Sequence, residues 1–501
     1  MKQSLRSSYT IPNGDIMTVT KIPITVAKGD GIGPEIMDAT LYILAQAGVP
    51  LDIHLVDIGE KIYLRGFPSG IEDKTWETIR NTKAFLKAPI TTPQGGGFKS
   101  LNVTIRTALG LYANIRPCVS YFPFVATKHP NMDVVIVREN EEDLYTGIEY
   151  RQTQDTCHAL KIITQPGCNR IVRYAFEYAR VNERKKVTCF TKDNILKLSD
   201  GLFHKTFDAF AKDYPDIINE HWIVDIGAAK LADTPTAFDV IVMPNLYGDI
   251  LSDVAAQISG SVGLAGSANI GAHHAMFEAI HGSAPRRAGQ NMANPSGLIL
   301  ASVLMLVHIG QGEAASLIHN AWLATLEEGI HTYDIYKPST SKEQVGTKEF
   351  AQAVVKRLGK MPHTLKSVHY HTNSSKKISH AVDEKSTNAH KERMGVDIFI
   401  QSHDSIEAIQ KKLSSQNTEN LKLTMISNRG VKVWPNNIPE TLCVDSWRCR
   451  YMCAKKGSAI SHQDIIKVLQ NLARESIDFI HTEHLYQFDG IPGYTLSQDE
   501  Q

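Results

Sequence analysis

Two aspartates, Asp249 and Asp253, stand four residues apart in the stretch NLYGDILSD, residues 245–253. Side chains at that spacing stack on one face of a helix. Two carboxylates so placed repel each other unless a cation lies between them. Hard divalent ions such as Mg²⁺ or Mn²⁺ take oxygen ligands of this kind and keep water or substrate oxygens for the rest of their shell. An aspartate near a helix start is also favoured by the helix dipole alone, so the pair takes its meaning from its surroundings.

Anion-binding chemistry gathers in a second stretch. Ser100, Asn102 and Arg106 follow a triple glycine, Gly95 to Gly97, and Arg116 lies ten residues beyond. Hydroxyl and amide donors beside two guanidinium groups suit an oxyacid, because arginine grips a carboxylate through two parallel bonds. The same arginines could equally serve surface ion pairs. Lys192 sits at the end of the apolar run KKVTCFT, and Asp225 ends a similar run. Strand ends are where α/β enzymes concentrate chemistry. Arg138 ends the apolar run VVIV, and Tyr145 follows within a polar cluster.

The elements that must position these groups alternate between short apolar runs and longer amphipathic stretches. That pattern predicts an α/β fold. The run FDVIVMPN reads as a buried strand ending at Asn245, after which Gly248 breaks the pattern and a helix carries the two aspartates. Ser296 to Gly310 is too short to span a membrane and reads as a buried core helix. Residues ~147–165 read as an extended hairpin arm. The glycines of GDGIGPE, residues 29–35, follow a strand and precede a helix. The spacing is not GxGxxG with an acidic residue about 20 positions on, so no Rossmann dinucleotide site is assigned.

Composition sets the frame. The chain has 501 residues, 42% hydrophobic and 21% charged, with length for several domains. Equal numbers of acidic and basic residues give a formal net charge of zero, which removes bulk charge as a reason for nucleic-acid or membrane binding. Seven scattered cysteines without a CxxC point to a reducing, cytoplasmic setting rather than a disulfide framework. After about Leu358 the sequence turns polar and rich in Ser, Lys and His, as a linker does. Beyond it the order strand, helix, three strands, helix, strand predicts a compact α+β domain related to the split βαβ pattern.

Taken in order, GDGIGPE, SLNVTIR, ANIRP, REN with LYTGIE, TKDNIL, NLYGDILSD and HGSAP resemble the isocitrate/isopropylmalate dehydrogenase family, the metal-dependent β-decarboxylating dehydrogenases. The resemblance covers about residues 21–358, and the tail resembles that of a long bacterial subgroup. It implies a two-domain α/β sandwich that is not a Rossmann fold, plus a small C-terminal α+β domain. The expected division is an N-terminal extension, 1–20; a large cofactor-binding domain, 21–109 and 260–358; a small domain, 110–259, carrying the arm; a linker, 359–394; and the tail domain, 395–501.

By the same resemblance, Ser100, Asn102, Arg106, Arg116 and Arg138 would hold the carboxylates of isocitrate. Asp249 and Asp253 would bind Mg²⁺ or Mn²⁺, with Asp225 completing the site from the other subunit of a homodimer. Tyr145 and Lys192 would be the catalytic pair, with a nearby lysine lowering the tyrosine's pKa. Thr91, His281, Gly282, Ser283, Ala284, Pro285, Arg286, Arg287, Asn294 and Tyr333 would line the cofactor site. Arg286 and Arg287 stand where a 2′-phosphate needs cations, which favours NADP over NAD. Two alternatives share the scaffold: a dehydrogenase of homoisocitrate or another 3-substituted malate, and a catalytically silent regulatory subunit. The five acidic and catalytic residues are all present, which argues against the second.

Overall fold

Apolar runs that are buried on both faces form strands of a ten-stranded sheet. The computed structural model describes residues 8–10, 16–18, 20–91, 100–370, 389–436, 440–455 and 458–496. The Gly95 to Gly97 loop and residues 371–388 of the linker lie outside them. In chain order the strands are β1 (Ile22–Ala27), β2 (Leu51–Val56), β3 (Ala84–Lys87), β4 (Ala113–Val119), β5 (Asp133–Glu139), β6 (Lys186–Thr191), β7 (Ile218–Ile223), β8 (Val240–Met243), β9 (Gly266–Ile270) and β10 (Ala275–Ala279). Their order across the sheet is β7-β6-β8-β5-β4-β9-β10-β3-β1-β2.

Pairing divides this sheet into three parts. β7, β6, β8 and β5 are parallel, as are β10, β3, β1 and β2. Between these wings, β5-β4, β4-β9 and β9-β10 pair antiparallel. Parallel strands covered on both faces read as unbroken apolar runs rather than alternating ones. Val134 to Val137 in β5 and Val240 to Met243 in β8 have no solvent exposure and fit that rule.

The helices that matter for the site are α1 (Gly33–Gln46), α2 (Leu101–Ala108), α3 (Gln165–Val181), α4 (Ser199–Ala211), α5 (Val224–Asp233), α6 (Asn245–Ser259) and α7 (Ser296–His308). The expected core helix is α7, whose Leu298, Ile299, Met305 and Leu306 are fully buried. None of the described helices is long and apolar enough to cross a membrane. One boundary differs from expectation: α6 begins at Asn245 and runs through Gly248 rather than starting after it. The glycine is required by packing, since a Cβ there would lie 2.5 Å from Cγ of Arg138. Gly248 is thus a contact device for an arginine, not a helix breaker. Asp225 likewise lies in the first turn of α5, just beyond β7.

The GDGIGPE glycines also serve close approach. Gly31 has φ +59°, and a Cβ would meet the Ser283 carbonyl oxygen at 2.0 Å. Ile32 donates its N–H to that same oxygen at 2.8 Å. The loop is a seam: Gly31 packs on the 281–287 segment and Gly29 on the Pro89 carbonyl oxygen, 2.1 Å from where a Cβ would lie, so close approach explains these glycines without a dinucleotide fingerprint.

The chain separates into two compact units. Residues 146–161 and 384–501 form the second. Its six-stranded sheet has β11 (Lys391–Gln401), β12 (Leu421–Asn428), β13 (Val431–Trp434), β14 (Ser446–Cys453), β15 (Phe479–Phe488) and β16 (Ile491–Pro492), in the order β13-β12-β14-β11-β15-β16. With helices α8 (Ile406–Ser414) and α9 (His462–Arg474), it has the strand and helix order expected from sequence, with the two-residue β16 added after it. Val396, Ile398 and Ile400 of β11 pack with Ile409, Leu413, Ile465, Val468 and Leu472 of the two helices. Alternation then turns Asp397, Phe399 and Gln401 to the other face. The hairpin arm, with strands Glu149–Arg151 and Cys157–Ala159, packs there. The His158 ring sits edge-on to Phe399, Gln152 bonds His481 at 2.9 Å, and Thr153 donates to Asp445 at 2.7 Å.

Candidate active site

The antiparallel centre of the large sheet brings the arginines together. In the β4–β5 register Asn114 lies opposite Arg138, and Arg116 is two residues along β4. Both arginines are buried: Arg138 has no exposure and Arg116 has 4%. Each needs several acceptors at that depth. Arg138 donates from Nε and Nη2 to Asn245 Oδ1 at 3.0 and 2.7 Å, and from Nη1 to Asp249 Oδ1. Arg116 donates to Asn114 Oδ1 and to Ser252 Oγ, each at 2.5 Å, and faces Asp249 at 3.4 Å and Asp253 at 3.5 Å. Burial, reinforced by the neighbouring guanidiniums of Arg116 and Arg106, pushes Arg138 down to about 9, still a cation at neutral pH.

Helix α6 presents Asp249 and Asp253 to this cluster, one turn apart. Burial raises the Asp249 carboxyl, but Arg138 and Arg116 outweigh it and hold the group below the ordinary range. Asp253 is raised instead, since burial there exceeds the pull of Arg116. Tyr145 donates its hydroxyl to Asp249 Oδ2, and its ring lies beneath the Arg138 guanidinium. Burial and that hydrogen bond push Tyr145 up to about 12. The expected lowering by a lysine is therefore not met within this chain: the charges acting on Tyr145 are Arg138, Asp249 and Arg106.

A cavity of about 260 Å³ opens over these groups. Ser100, Asn102, Arg106, Arg116, Tyr145, Asp249, Asp253, His281 and Gly282 all line it. Three buried polar atoms on its wall have no hydrogen-bond partner among the described residues: Asn102 Oδ1, Arg106 Nε and His281 Nε2. Buried polar groups are nearly always satisfied, so unsatisfied ones that converge on one cavity mark where a polar ligand belongs. Ser100 occupies the N-cap position of α2 yet makes no capping bond to it, which leaves its hydroxyl available to the cavity.

Sequence reasoning missed the floor of this cavity. Lys87, fully buried at the end of β3, bonds Glu278 Oε2 at 2.7 Å, and Arg106 bonds Glu278 Oε1 at 3.0 Å. These two cations hold the Glu278 carboxyl far below its usual range, although burial opposes them. The signal was legible: a single charge inside the apolar runs AFLK and AMFEA is seldom buried without a partner. Ser252 and Asn114 were missed too, and nothing in their sequence setting announces them.

The expected cofactor residues surround the seam described above. Thr91 donates its N–H to Asp30 at 2.9 Å, and its hydroxyl meets Ser283 Oγ at 2.7 Å. Ala284 adopts a left-handed conformation, φ 38°, and Pro285–Arg287 forms a 3-10 turn. Arg286 and Arg287 are exposed, and neither pairs with a carboxylate among the described residues. The Arg287 guanidinium lies 4.7 Å above the Tyr333 ring. Asn294 donates to Asp334 at 3.0 Å, and Gly282 borders the cavity. Glu35, in the first turn of α1, accepts the N–H groups of Asn291 at 3.3 Å and Ala293 at 3.1 Å, which pins the far end of the same loop.

Lys192 and Asp225 are brought together, but not into this cavity. Lys192 Nζ bonds both Asp225 oxygens at 2.6 and 2.7 Å, and that bond lowers the Asp225 carboxyl. Neither residue lines the cavity. The donor set nevertheless suits a hard cation: Asp249 and Asp253, one turn apart on α6, both line the cavity, and the ion pair of Asp253 among the described residues is a 3.5 Å contact to Arg116.

Known proteins resemble this chain over nearly its whole length. The family described as isocitrate/isopropylmalate dehydrogenase matches residues 23–354, and the one described as bacterial isocitrate dehydrogenase, C-terminal domain, matches residues 391–500. A relative named isocitrate dehydrogenase (NADP) from Rickettsia typhi is 56% identical over 482 residues, 95% of this chain and 99% of its own length. One of the same name from Thermus thermophilus is 41% identical over 481 residues, 95% of this chain and 96% of its own. A crystal structure of a Thermus thermophilus protein superposes with a TM-score of 0.89 at 39% identity, covering 99% of this chain and 98% of that one. The chain belongs to the isocitrate/isopropylmalate dehydrogenase family and carries its bacterial C-terminal domain.

Proposed function

We propose that this protein is an NADP-dependent isocitrate dehydrogenase that oxidises and decarboxylates isocitrate to 2-oxoglutarate and CO₂. The observation that carries the reading is the cavity in which Arg106 and Arg116, with Asn102 and Ser100, face the Asp249–Asp253 pair. Such a wall takes a polycarboxylate at the cations and a divalent metal at the aspartates.

The chain's own groups divide the work. Arg106 and Arg116 would bind and orient the carboxylates. Arg138, expected there too, is fully buried outside the cavity lining and would act from behind Asp249. The acceptors that already hold these guanidiniums mean that little reorganisation is needed when substrate arrives. A Mg²⁺ or Mn²⁺ ion held by Asp249 and Asp253 would lower the pKa of the substrate hydroxyl and stabilise negative charge on its oxygen. Tyr145, protonated well above neutral pH, is a proton donor for the carbon that loses CO₂. Arg286 and Arg287, free of carboxylates and next to Tyr333, suit the 2′-phosphate of NADP. His281, half-buried with an unsatisfied Nε2, would lie beside the adenine.

We further infer a homodimer with shared sites, in which Lys192 and Asp225 of one subunit serve the cavity of the other. Apolar exposure supports this. Ile195, Leu198, Ile226 and Ile250 follow Lys192, Asp225 and Asp249 closely in sequence, and each is more than half exposed. Clustered exposed apolar side chains mark association surfaces. The two parallel wings of the sheet, 21–109 with 260–358 and 110–259, are read as the two domains flanking the cleft.

The deciding experiment is an assay of the purified protein with isocitrate, comparing NADP with NAD, before and after removal of divalent metal. Absence of turnover with isocitrate and NADP, or turnover indifferent to chelation, would reject the reading.

A further inference from the structure

A cluster of metal-ligating side chains lies outside the cavity, at the open end of β6 and β7. Asp193 lies two residues beyond β6, next to Lys192, His204 projects from α4, and His221 lies on β7. One ligand atom from each can be chosen so that all lie within 4.8 Å of one another. Asp193 spans the two rings: its Oδ2 lies 2.6 Å from His204 Nδ1, and its Oδ1 lies 3.8 Å from His221 Nε2. The side chains are 21, 25 and 17% exposed, so the cluster is part-buried yet open to an ion from solvent.

From this geometry we infer a second divalent-metal site, built from Asp193, His204 and His221, that takes a borderline transition ion such as Zn²⁺, Co²⁺ or Ni²⁺. Imidazole nitrogens select such ions over Mg²⁺, so the site is chemically distinct from the all-oxygen Asp249–Asp253 pair. Two imidazoles and one carboxylate are a common three-ligand set that leaves room for water. The surroundings are those of a ligating histidine. With His204 Nδ1 toward the ion, its Nε2 faces Asp208 Oδ2 at 3.6 Å, and ligating histidines usually direct their other nitrogen to a carboxylate. His221 Nε2 is already 2.8 Å from Thr191 Oγ1, a neutral partner that an ion can displace.

The His204 and His221 rings stack with centroids 3.5 Å apart and planes 16° from parallel. Coordination by both would turn the His221 edge from that stack toward Asp193. Because Asp193 adjoins Lys192, an ion there would fix the turn between β6 and α4 that presents the lysine. The inference stands on the cluster alone and does not depend on the proposed reaction.

The test uses the full-length protein, stripped with a chelator and then held in excess Mg²⁺. Co²⁺ is titrated while its visible absorption is followed, and X-ray absorption at the cobalt edge reports the ligands. One tight equivalent per chain with two imidazoles in its shell is expected, with affinity falling at least about tenfold in His204→Gln and in His221→Gln. A cobalt shell without imidazole in the wild-type protein overturns the proposal. So does unchanged affinity in the double variant, or no binding beyond that variant's level.

Discussion

Tyr145 and Arg138 hold opposite oxygens of one carboxylate, that of Asp249. Burial, with the Asp249 bond, keeps the tyrosine protonated, and Arg138 with Arg116 keeps the aspartate ionised, the pairing of states that a proton donor beside a cation site requires. Tyr145→Phe should leave isocitrate binding nearly intact and lower kcat by about 10²–10⁴-fold. A rise confined to KM, with kcat unchanged, would place the tyrosine in binding rather than proton transfer.

At the cavity floor Glu278 is the one carboxylate, among the described residues, in ion-pair contact with Lys87 and Arg106. Removing it leaves two buried cations without compensation. Glu278→Gln should destabilise the fold by about 3–5 kcal/mol in denaturant titration. A loss below about 1 kcal/mol would mean that water satisfies the pair.

Arg286→Asp combined with Arg287→Ile should exchange a phosphate clamp for an acceptor of a ribose hydroxyl. The kcat/KM ratio for NADP over NAD is expected to fall by about ten- to a hundredfold per lost charge-assisted contact. A ratio that stays put would locate phosphate recognition elsewhere.

Shared sites can be checked by mixing two dead variants. Lys192→Ala and Tyr145→Phe homodimers should each be nearly inactive. Co-refolded together, they should regain activity, since a hybrid dimer carries one site with both residues intact. No recovery in verified hybrids would place Lys192 and Tyr145 in the same subunit's chemistry.

Glu139 gives a pH signature. Burial pushes its carboxyl up to about 7, against N–H bonds from Glu141 at 2.7 Å and Glu142 at 3.0 Å. The folded state therefore holds a proton that the unfolded chain has released once pH passes its ordinary value of 4.5. That stability is present below 4.5 and is lost as pH rises to about 7. Relative to Glu139→Gln, the wild type should lose about 3 kcal/mol across that window. Parallel pH profiles of the two unfolding free energies would contradict the assignment.

Much of this was legible in the residues. The helix that carries Asp249 and Asp253 one turn apart and the apolar strands were readable from spacing, since a helix turn and a buried parallel strand leave short-range patterns; that the aspartates meet Arg106 and Arg116 at one cavity is supplied by the fold. Lys87 and Glu278 escaped because their partnership spans 191 positions and joins strands that only the fold makes neighbours. Gly248 was misread for a related reason: the contact that demands a glycine comes from Arg138, a residue 110 positions away. The local rule that glycine interrupts helices gave way to a tertiary need. The raised state of Tyr145 depends on burial, which no spacing reports.

The hairpin arm, residues 146–161, groups with the C-terminal unit although more than two hundred residues separate them. An appended domain is commonly an exchangeable module, gained or shed at a linker. This one is sewn into the chain twice, once through the linker and once through a segment that begins immediately after Tyr145. Deleting the tail would strip the His158, Gln152 and Thr153 side chains of their partners at Phe399, His481 and Asp445. A lineage that carries this arm in this form is thus committed to its tail, and the two should be inherited, trimmed or replaced as one.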